Sequence, residues 1–367
     1  MAHATPTRPG HAGRQADRVG ARVPVAAGLL LGWAADRALG DPRRGHPVAL
    51  FGRTMGAVEA RIWRDDRAAG VVYATVGATL ATVPVVVLDR RWRRRPVARA
   101  ALTATVTWAA LGGRSLAGAG REIGDLVAAG DLEGARALAP TLVGRDPATL
   151  DGDGLARAGL ESVAENTSDA VVAPLVWGGL LGAPGVALHR ALNTMDAMVG
   201  YRSERYARFG WASARADDVA GWPAARIAAL LTVAVAPRRV PEGADVGIGP
   251  PAGAPGRHAS GRGGPAAAWR VWRRDHARHP SPNAGHVESA FAGALGVRIG
   301  GRNVYGGRVE ERPTLGDDDA PGPRPDDLRR AAALSLRVGA AAALTGAMLA
   351  AARHHEVSRF RRKRQST

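Results

Sequence analysis

The sequence predicts an all-α, polytopic integral membrane protein with about four to six membrane or membrane-associated helices and soluble helical loops. Three observations lead there. Two long runs carry no charged residue, Ala68 to Leu88 and Ala170 to Leu188. As helices rising roughly 1.5 Å per residue, each would reach about 30 Å, the thickness of a bilayer's hydrocarbon core. Arginine clusters adjoin apolar segments, at Arg90, Arg91, Arg93, Arg94 and Arg95 and again in the C-terminal tail. No strand-like alternation extends far enough to specify a sheet, and no repeat of 20 to 50 residues is evident.

Composition narrows the classes. The chain has 367 residues, enough for a real core. Its formal net charge of +17 would by itself suggest nucleic acid or an anionic membrane surface. Almost all of that charge is arginine, with Lys363 the sole lysine, so a compositional bias toward Arg accounts for much of it. A soluble nucleic-acid binder gains nothing from long charge-free runs, so no nucleic acid is expected as partner. Zero cysteines exclude disulfides, thiolate metal sites and cysteine nucleophiles.

In chain order, residues 1–20 read as a disordered tail without apolar periodicity. Val23 to Ala35 is apolar but short for a span. GDPRRGHPV then breaks the helix at Gly40 and Pro42 and sets His46 on an irregular segment. Ala68 to Leu88, with one proline at Pro84, is the strongest spanning helix. The following arginine cluster marks a cytoplasmic side, and Ala100 to Gly113 returns as the second arm of a helical hairpin. From Arg114 to Gly159 the pattern becomes amphipathic and soluble. After the Ala170 to Leu188 run, GWPAARIAALLTVAVAP forms another apolar helix ending at Pro237. The 237–265 segment is a flexible Pro/Gly loop. A basic helix, an HPSPNAG turn, a short helix and glycine-rich loops precede a long Leu328 to Ala352 helix. Residues 21–352 thus form a single helical membrane domain, followed by a basic tail at 353–367 whose cations suit an anionic lipid surface.

The polar groups that could do chemistry gather around the 170–188 run. Glu161 and Glu165 are one helical turn apart on a common face, and as hard oxygen donors they could hold Mg²⁺. The local alternative is a capping box at Ser162 and Glu165, with Asn166 and Asp169 as N-cap residues, and local chemistry favours capping. Asn193 and Asp196 are three apart and can face one way beside a span, where polar groups are costly. Asp217 and Asp218 form a second acidic pair. Tyr201 and Arg205 could bind phosphate or an amide rim, or serve only as an interfacial belt. The turn with His279, Ser281 and Asn283, and Glu288 on the helix beyond, could hold a phosphate or simply start that helix. His46 alone is more often structural than catalytic. No G-x-x-x-x-G-K-[ST] motif exists, and no G-x-G-x-x-G lies between a strand and a helix.

Three blocks in order, GDPRRGHPVALFGR, ESVAENTSDAVVAPL with NTMDAMVGYRSERYARFGWASARADD, and HPSPNAGHVESAFAGALGVRIGGRNVYGG, resemble the CobD/CbiB family of cobalamin biosynthesis. The resemblance covers about Gly40 to Gly307, apart from the 237–265 loop. It implies a multi-pass enzyme of the cell membrane, its site facing the cytoplasm. The implied reaction joins adenosylcobyric acid, a corrinoid, by an amide bond to (R)-1-aminopropan-2-ol phosphate or the free amino alcohol, at the expense of ATP with Mg²⁺. The implied product is adenosylcobinamide phosphate or adenosylcobinamide. Membrane lipid and other enzymes of the pathway are the implied partners. Under the resemblance, Glu161, Glu165, Asp196, Asp217 and Asp218 become candidates for catalysis, with the first two as metal ligands. His46, Asn166, Asp169, Asn193, Tyr201, Arg205, His279, Ser281, Asn283 and Glu288 become candidates for substrate binding. The rival reading is a non-catalytic scaffold or transporter for corrinoid intermediates.

Overall fold

The computed structural model describes residues 23–42, 45–144, 146–201, 203–238, 263–305 and 308–363. The expected 1–20 tail, most of the 237–265 loop and the last residues of the basic tail lie outside them. The described chain is mostly helical: α1 (Val23–Leu39), α2 (Pro47–Ile62), α3 (Arg67–Arg91), α4 (Pro96–Ala110) and α5 (Gly113–Ala128) come first. A short α6 (Leu132–Leu138) leads to α7 (Gly152–Thr167), α8 (Ala173–Leu181), α9 (Ala183–Val199) and α10 (Trp211–Val235). Then follow α11 (Pro265–Asp275), α12 (Ala284–Leu295), strands β1 (Ile299–Tyr305) and β2 (Arg308–Leu315), and α13 (Pro325–Lys363). The last helix therefore continues past Ala352 into the basic segment.

Three of these helices are long and apolar enough to cross a membrane: α3, α10 and the Pro325–Ala352 part of α13. About four to six membrane or membrane-associated helices were expected; α1 and α4, the other apolar helices read as candidates, are shorter, at 17 and 15 residues. Val71, Val72, Leu80, Val83 and Val87 on α3 stand exposed, as do Val219, Trp222 and Leu230 on α10 and Leu344 and Met348 on α13. Apolar faces of this extent suit contact with lipid chains rather than water.

The expected hairpin forms only at its connection. Asp89 accepts a 2.7 Å bond from Arg99 Nε across the turn. Beyond it the two helices part, and α4 packs on α1 rather than on α3. Small residues decide this: a Cβ on Gly28 or Gly32 would fall 2.5 Å from the Cβ of Thr103 or Thr107. Such a small-xxx-small surface lets two backbones approach closely. Helix α3 packs instead on α9, where Gly77 faces Met195.

The 170–188 run is the main correction. It is not one spanning helix but a π-helical turn at Ser168–Val172, α8, a break at Gly182 and the start of α9. Pro174 explains the π turn, because it has no N–H for the Ala170 carbonyl; Gly112 N donates to that carbonyl instead, at 3.3 Å. Gly182 has φ 76°, a left-handed conformation that turns the chain into α9. The run lacks charge because it is buried inside the helical assembly: Val172, Ala173, Leu175, Ala183 and Val186 are fully covered.

The described chain is mostly helical as expected, and the two-stranded hairpin β1–β2 is the one addition to that reading among the described residues. The strands pair antiparallel with an irregularity between Ile299 and Gly301. Gly300 and Gly301, at φ 87° and 81°, make that bulge, and a Cβ on Gly300 would meet the Pro313 carbonyl at 2.4 Å. Gly300 and Gly301, which the sequence places in a glycine-rich loop, are bulge formers inside a strand.

Candidate functional site

Three helices, α7, α9 and α10, and the π turn surround an acidic crevice. Helix α7 runs directly into the π turn, so Glu165 and Asn166 are not at a helix start and cap nothing. Ser162 Oγ donates to the Leu142 carbonyl, and Asn166 Nδ2 donates to the Ser162 carbonyl at 3.0 Å. That leaves Glu165 and Asp169, one turn apart, directed at the segment where α9 and α10 meet. The fields of Asp217, Glu165 and Asp196 all act on Asp169. Asn193 hydrogen-bonds the Asp217 carboxylate, and Asp196 and Asp218 lie close enough to repel it. Oδ1 of Asp217 is buried without a hydrogen-bond partner.

Burial and mutual repulsion make two of these acids weak. Asp169 sits deep among protein atoms while part of it still reaches solvent; burial first, then Asp217, Glu165 and Asp196, hold its carboxyl well above the ordinary range. Asp196 is pushed up to about 6, mainly by burial and then by Asp218. A carboxylate with that affinity for protons is suited to accept one near neutral pH.

Glu161 faces elsewhere, with its Oε1 taking the Gly300 N–H at 2.8 Å. It lies near His279, whose pKa is lowered chiefly by burial; His279 Nε2 is 3.7 Å from Glu288 Oε1. Ser281 Oγ accepts from Asn283 N and Ala284 N at 3.3 and 3.1 Å, and His279 Nδ1 accepts from Ser281 N at 3.0 Å. The HPSPN turn thus caps α12 with its own side chains. Asn283 also ties it to the crevice, donating from Nδ2 to the Asp218 carbonyl at 2.9 Å.

Tyr201 and Arg205 are not brought to the acids. Tyr201 is exposed on the loop after α9. Arg205 bonds Glu59 at 3.1 Å and lies over the Trp63 ring at 4.6 Å, where it pins the loop to α2.

His46 caps α2, its Nδ1 accepting from Val48 N at 3.2 Å. It lines a cleft of about 610 Å³ with Asp41, Arg53, Arg190, Thr194 and Met198. Arg190 is absent from the candidates that the sequence suggests. Its signal there is its place one helical turn before Asn193, whose Oδ1 it approaches with Nη1 at 3.4 Å.

Mg²⁺ commonly binds one or two carboxylates and completes its shell with water and substrate phosphate. The orphaned Asp217 oxygen and its acidic neighbours fit that chemistry. Among the described residues no three His, Asp or Glu side chains form a ready-made cage. With Glu161 committed to Gly300, the oxygen donors grouped with Glu165 are Asp169, Asp196 and Asp217.

A family model described as CobD/Cbib protein matches residues 29–335. The chain is 50% identical over 332 residues to the cobalamin biosynthesis protein CobD of Mycobacterium tuberculosis (strain ATCC 25618 / H37Rv), covering 88% of this chain and 95% of the relative. It is 40% identical over 303 residues to that of Geobacter metallireducens, covering 80% and 87%. Against the Rhodobacter capsulatus protein of the same description, identity is 37% over 336 residues, covering 89% and 97%. No solved structure matches the chain.

Proposed function

The chain belongs to the CobD/Cbib family, and from that premise we propose that it acts in cobalamin biosynthesis as an amide-forming ligase of the cell membrane. The reaction joins the free propionate of adenosylcobyric acid to (R)-1-aminopropan-2-ol phosphate or the free amino alcohol. The observation that supports this best is the crevice that gathers Glu165, Asp169, Asp196 and Asp217, with Asp169 and Asp196 held as weak acids.

An amine enters near neutral pH as an ammonium ion and cannot attack until it loses a proton. Negative charge in the crevice attracts the ammonium, and Asp196 or Asp169 accepts its proton. Asn193 holds Asp217 in place, and Asn283 links the crevice to the turn that carries His279. Glu165 and Asp217 would hold Mg²⁺, which would screen the charge of the phosphoryl group that ATP would supply to activate a carboxylate otherwise too poor an electrophile. The lipid-facing α3, α10 and α13 keep the chain in the membrane, and the arginine-rich turn after α3 favours a cytoplasmic site. Other enzymes of the pathway are the natural partners for passing on a large corrinoid.

The test is complementation of a cobalamin auxotroph that cannot attach the amino alcohol. Wild type restores growth, and Glu165→Gln and Asp196→Asn, inserted at equal levels, do not. A non-catalytic scaffold or transporter would tolerate both substitutions, and their full complementation would replace the ligase reading with that one.

A further inference from the structure

We propose that the cleft between the start of α2 and α9 seats the phosphate of an aliphatic phosphate monoester on Arg190 and Arg53, with the ligand's amine turned toward the acidic crevice. This rests on the ligase reading and names which donor the site is built for.

Three features of the cleft carry the inference. First, its walls offer cations and donors. Arg53 stands exposed at its mouth, and Arg190 reaches it from α9. Because His46 Nδ1 accepts from Val48 N, the neutral ring carries its hydrogen on Nε2, toward the cleft and Asp41 at 3.6 Å. Asp41 offsets one positive charge, and the two arginines leave an excess. The N-terminus of the 16-residue α2 also opens here, with Val48 and Ala49 in the wall, and its dipole favours an anion.

Second, among the described residues Arg190 is not satisfied by the protein. Its Nε is buried without a hydrogen-bond partner there, and its one long bond to a described residue, Asn193, leaves most of the guanidinium fork unused. A planar fork with free N–H groups matches phosphate oxygens.

Third, Arg190 lies between two environments of opposite use. It feels Asp41 on the cleft side and Asp169 and Asp217 on the crevice side. A small molecule with phosphate at one end and ammonium at the other spans from cations to carboxylates across this residue. Beside the cleft lies an apolar pocket of about 210 Å³, which shares Val48, Arg190 and Thr194 with it and is otherwise walled by Pro47, Phe51, alanines and Val106. It suits a short carbon skeleton better than a nucleobase, because its polar lining residues are Arg190, assigned here to phosphate, and Thr194, whose hydroxyl already donates to the Arg190 carbonyl; this favours an amino alcohol phosphate over the phosphates of ATP.

Binding to the purified, detergent-solubilised full chain, measured by titration calorimetry, tests this without requiring turnover. The probes are (R)-1-aminopropan-2-ol phosphate, the free amino alcohol and ATP. Wild type is expected to bind the phosphate ester at least tenfold more tightly than the free alcohol. Arg190→Ala and, separately, Arg53→Ala should reduce that preference at least fivefold, and Arg190→Lys should retain part of it. Arg53 is exposed, so its variant reports even if Arg190→Ala fails to fold. Equal binding of ester and alcohol by wild type overturns the proposal, as does an undiminished preference in folded variants. Loss of ATP binding with donor binding intact would assign the cleft to the nucleotide and also overturn it. Selective ester binding without any amide product would leave this cleft assigned and remove the ligase reading.

Discussion

Replacing Asp196 by Asn should make the protein more stable at pH 8 while removing its activity. The Asp196 carboxyl is pushed from 3.8 to about 6 in the folded chain, so folding favours its protonated form. Stability from this group is therefore fully present below about pH 4 and is lost as pH rises through about 6. At about 1.4 kcal/mol per pH unit, the rise from 3.8 to about 6 bounds the loss at about 3 kcal/mol. Solvent at the partly exposed carboxylate screens that to about 1–2 kcal/mol. Asn has the same shape and no charge to repel Asp218, so it recovers this amount at pH 8 and almost nothing at pH 4. Thermal or denaturant unfolding in a fixed detergent, followed by tryptophan fluorescence at both pH values, measures the difference. A destabilised Asp196→Asn at pH 8, or an equal effect at pH 4, would refute the reasoning about burial and repulsion in the crevice.

Other outcomes follow from the same geometry. With Asp196 as a base, turnover in wild type should rise through about pH 6, and a pH–rate profile flat from 5 to 8 would exclude that role. Gly200→Ala should cut activity at least tenfold in a folded protein, because its Cβ would fall 1.9 Å from Asp196 Oδ1 and displace that carboxylate; unchanged kcat would mean the carboxylate's position is irrelevant. Arg205→Ala should leave kcat/KM within about twofold, since the exposed Arg205 pins a loop to Glu59 and Trp63; a large rise in KM would return Arg205 to the substrate. A cysteine placed at Arg93, in a chain without native cysteines, should resist an impermeant thiol reagent in intact cells and react after lysis; labelling from outside would invert the orientation.

Much of the fold is legible in the sequence because helical periodicity and charge-free length are local properties. The Arg67–Arg91 helix can be read directly, and so can the apolar helix around Pro223, except that it begins at Trp211 and so carries Asp217 and Asp218 inside it rather than ahead of it. The 170–188 run cannot, since a buried helix pair and a spanning helix are equally free of charge. Only Pro174 and Gly182 mark the difference, and the effect of Pro174 depends on the Gly112 amide, far away in sequence, which donates to the Ala170 carbonyl. The β-hairpin is hidden for a related reason: its register is set by bulge glycines rather than by alternating apolar residues. At the site, the carboxylates announce themselves by polarity beside apolar sequence. Which of them share a crevice does not show, because Glu161 and Glu165 share a helical face but are claimed by different partners. Arg190 escapes notice because an arginine in an arginine-rich chain carries little signal until its burial is known.

Amide formation itself is the most direct test. Purified wild-type chain, supplied with adenosylcobyric acid, ¹⁵N-labelled (R)-1-aminopropan-2-ol phosphate, ATP and Mg²⁺, should yield a corrinoid whose mass includes the labelled arm. Chelating the metal or substituting Glu165→Gln should reduce the yield at least a hundredfold. With inserted, folded protein and verified substrates, no labelled corrinoid with either the phosphate or the free amino alcohol would contradict the proposed function.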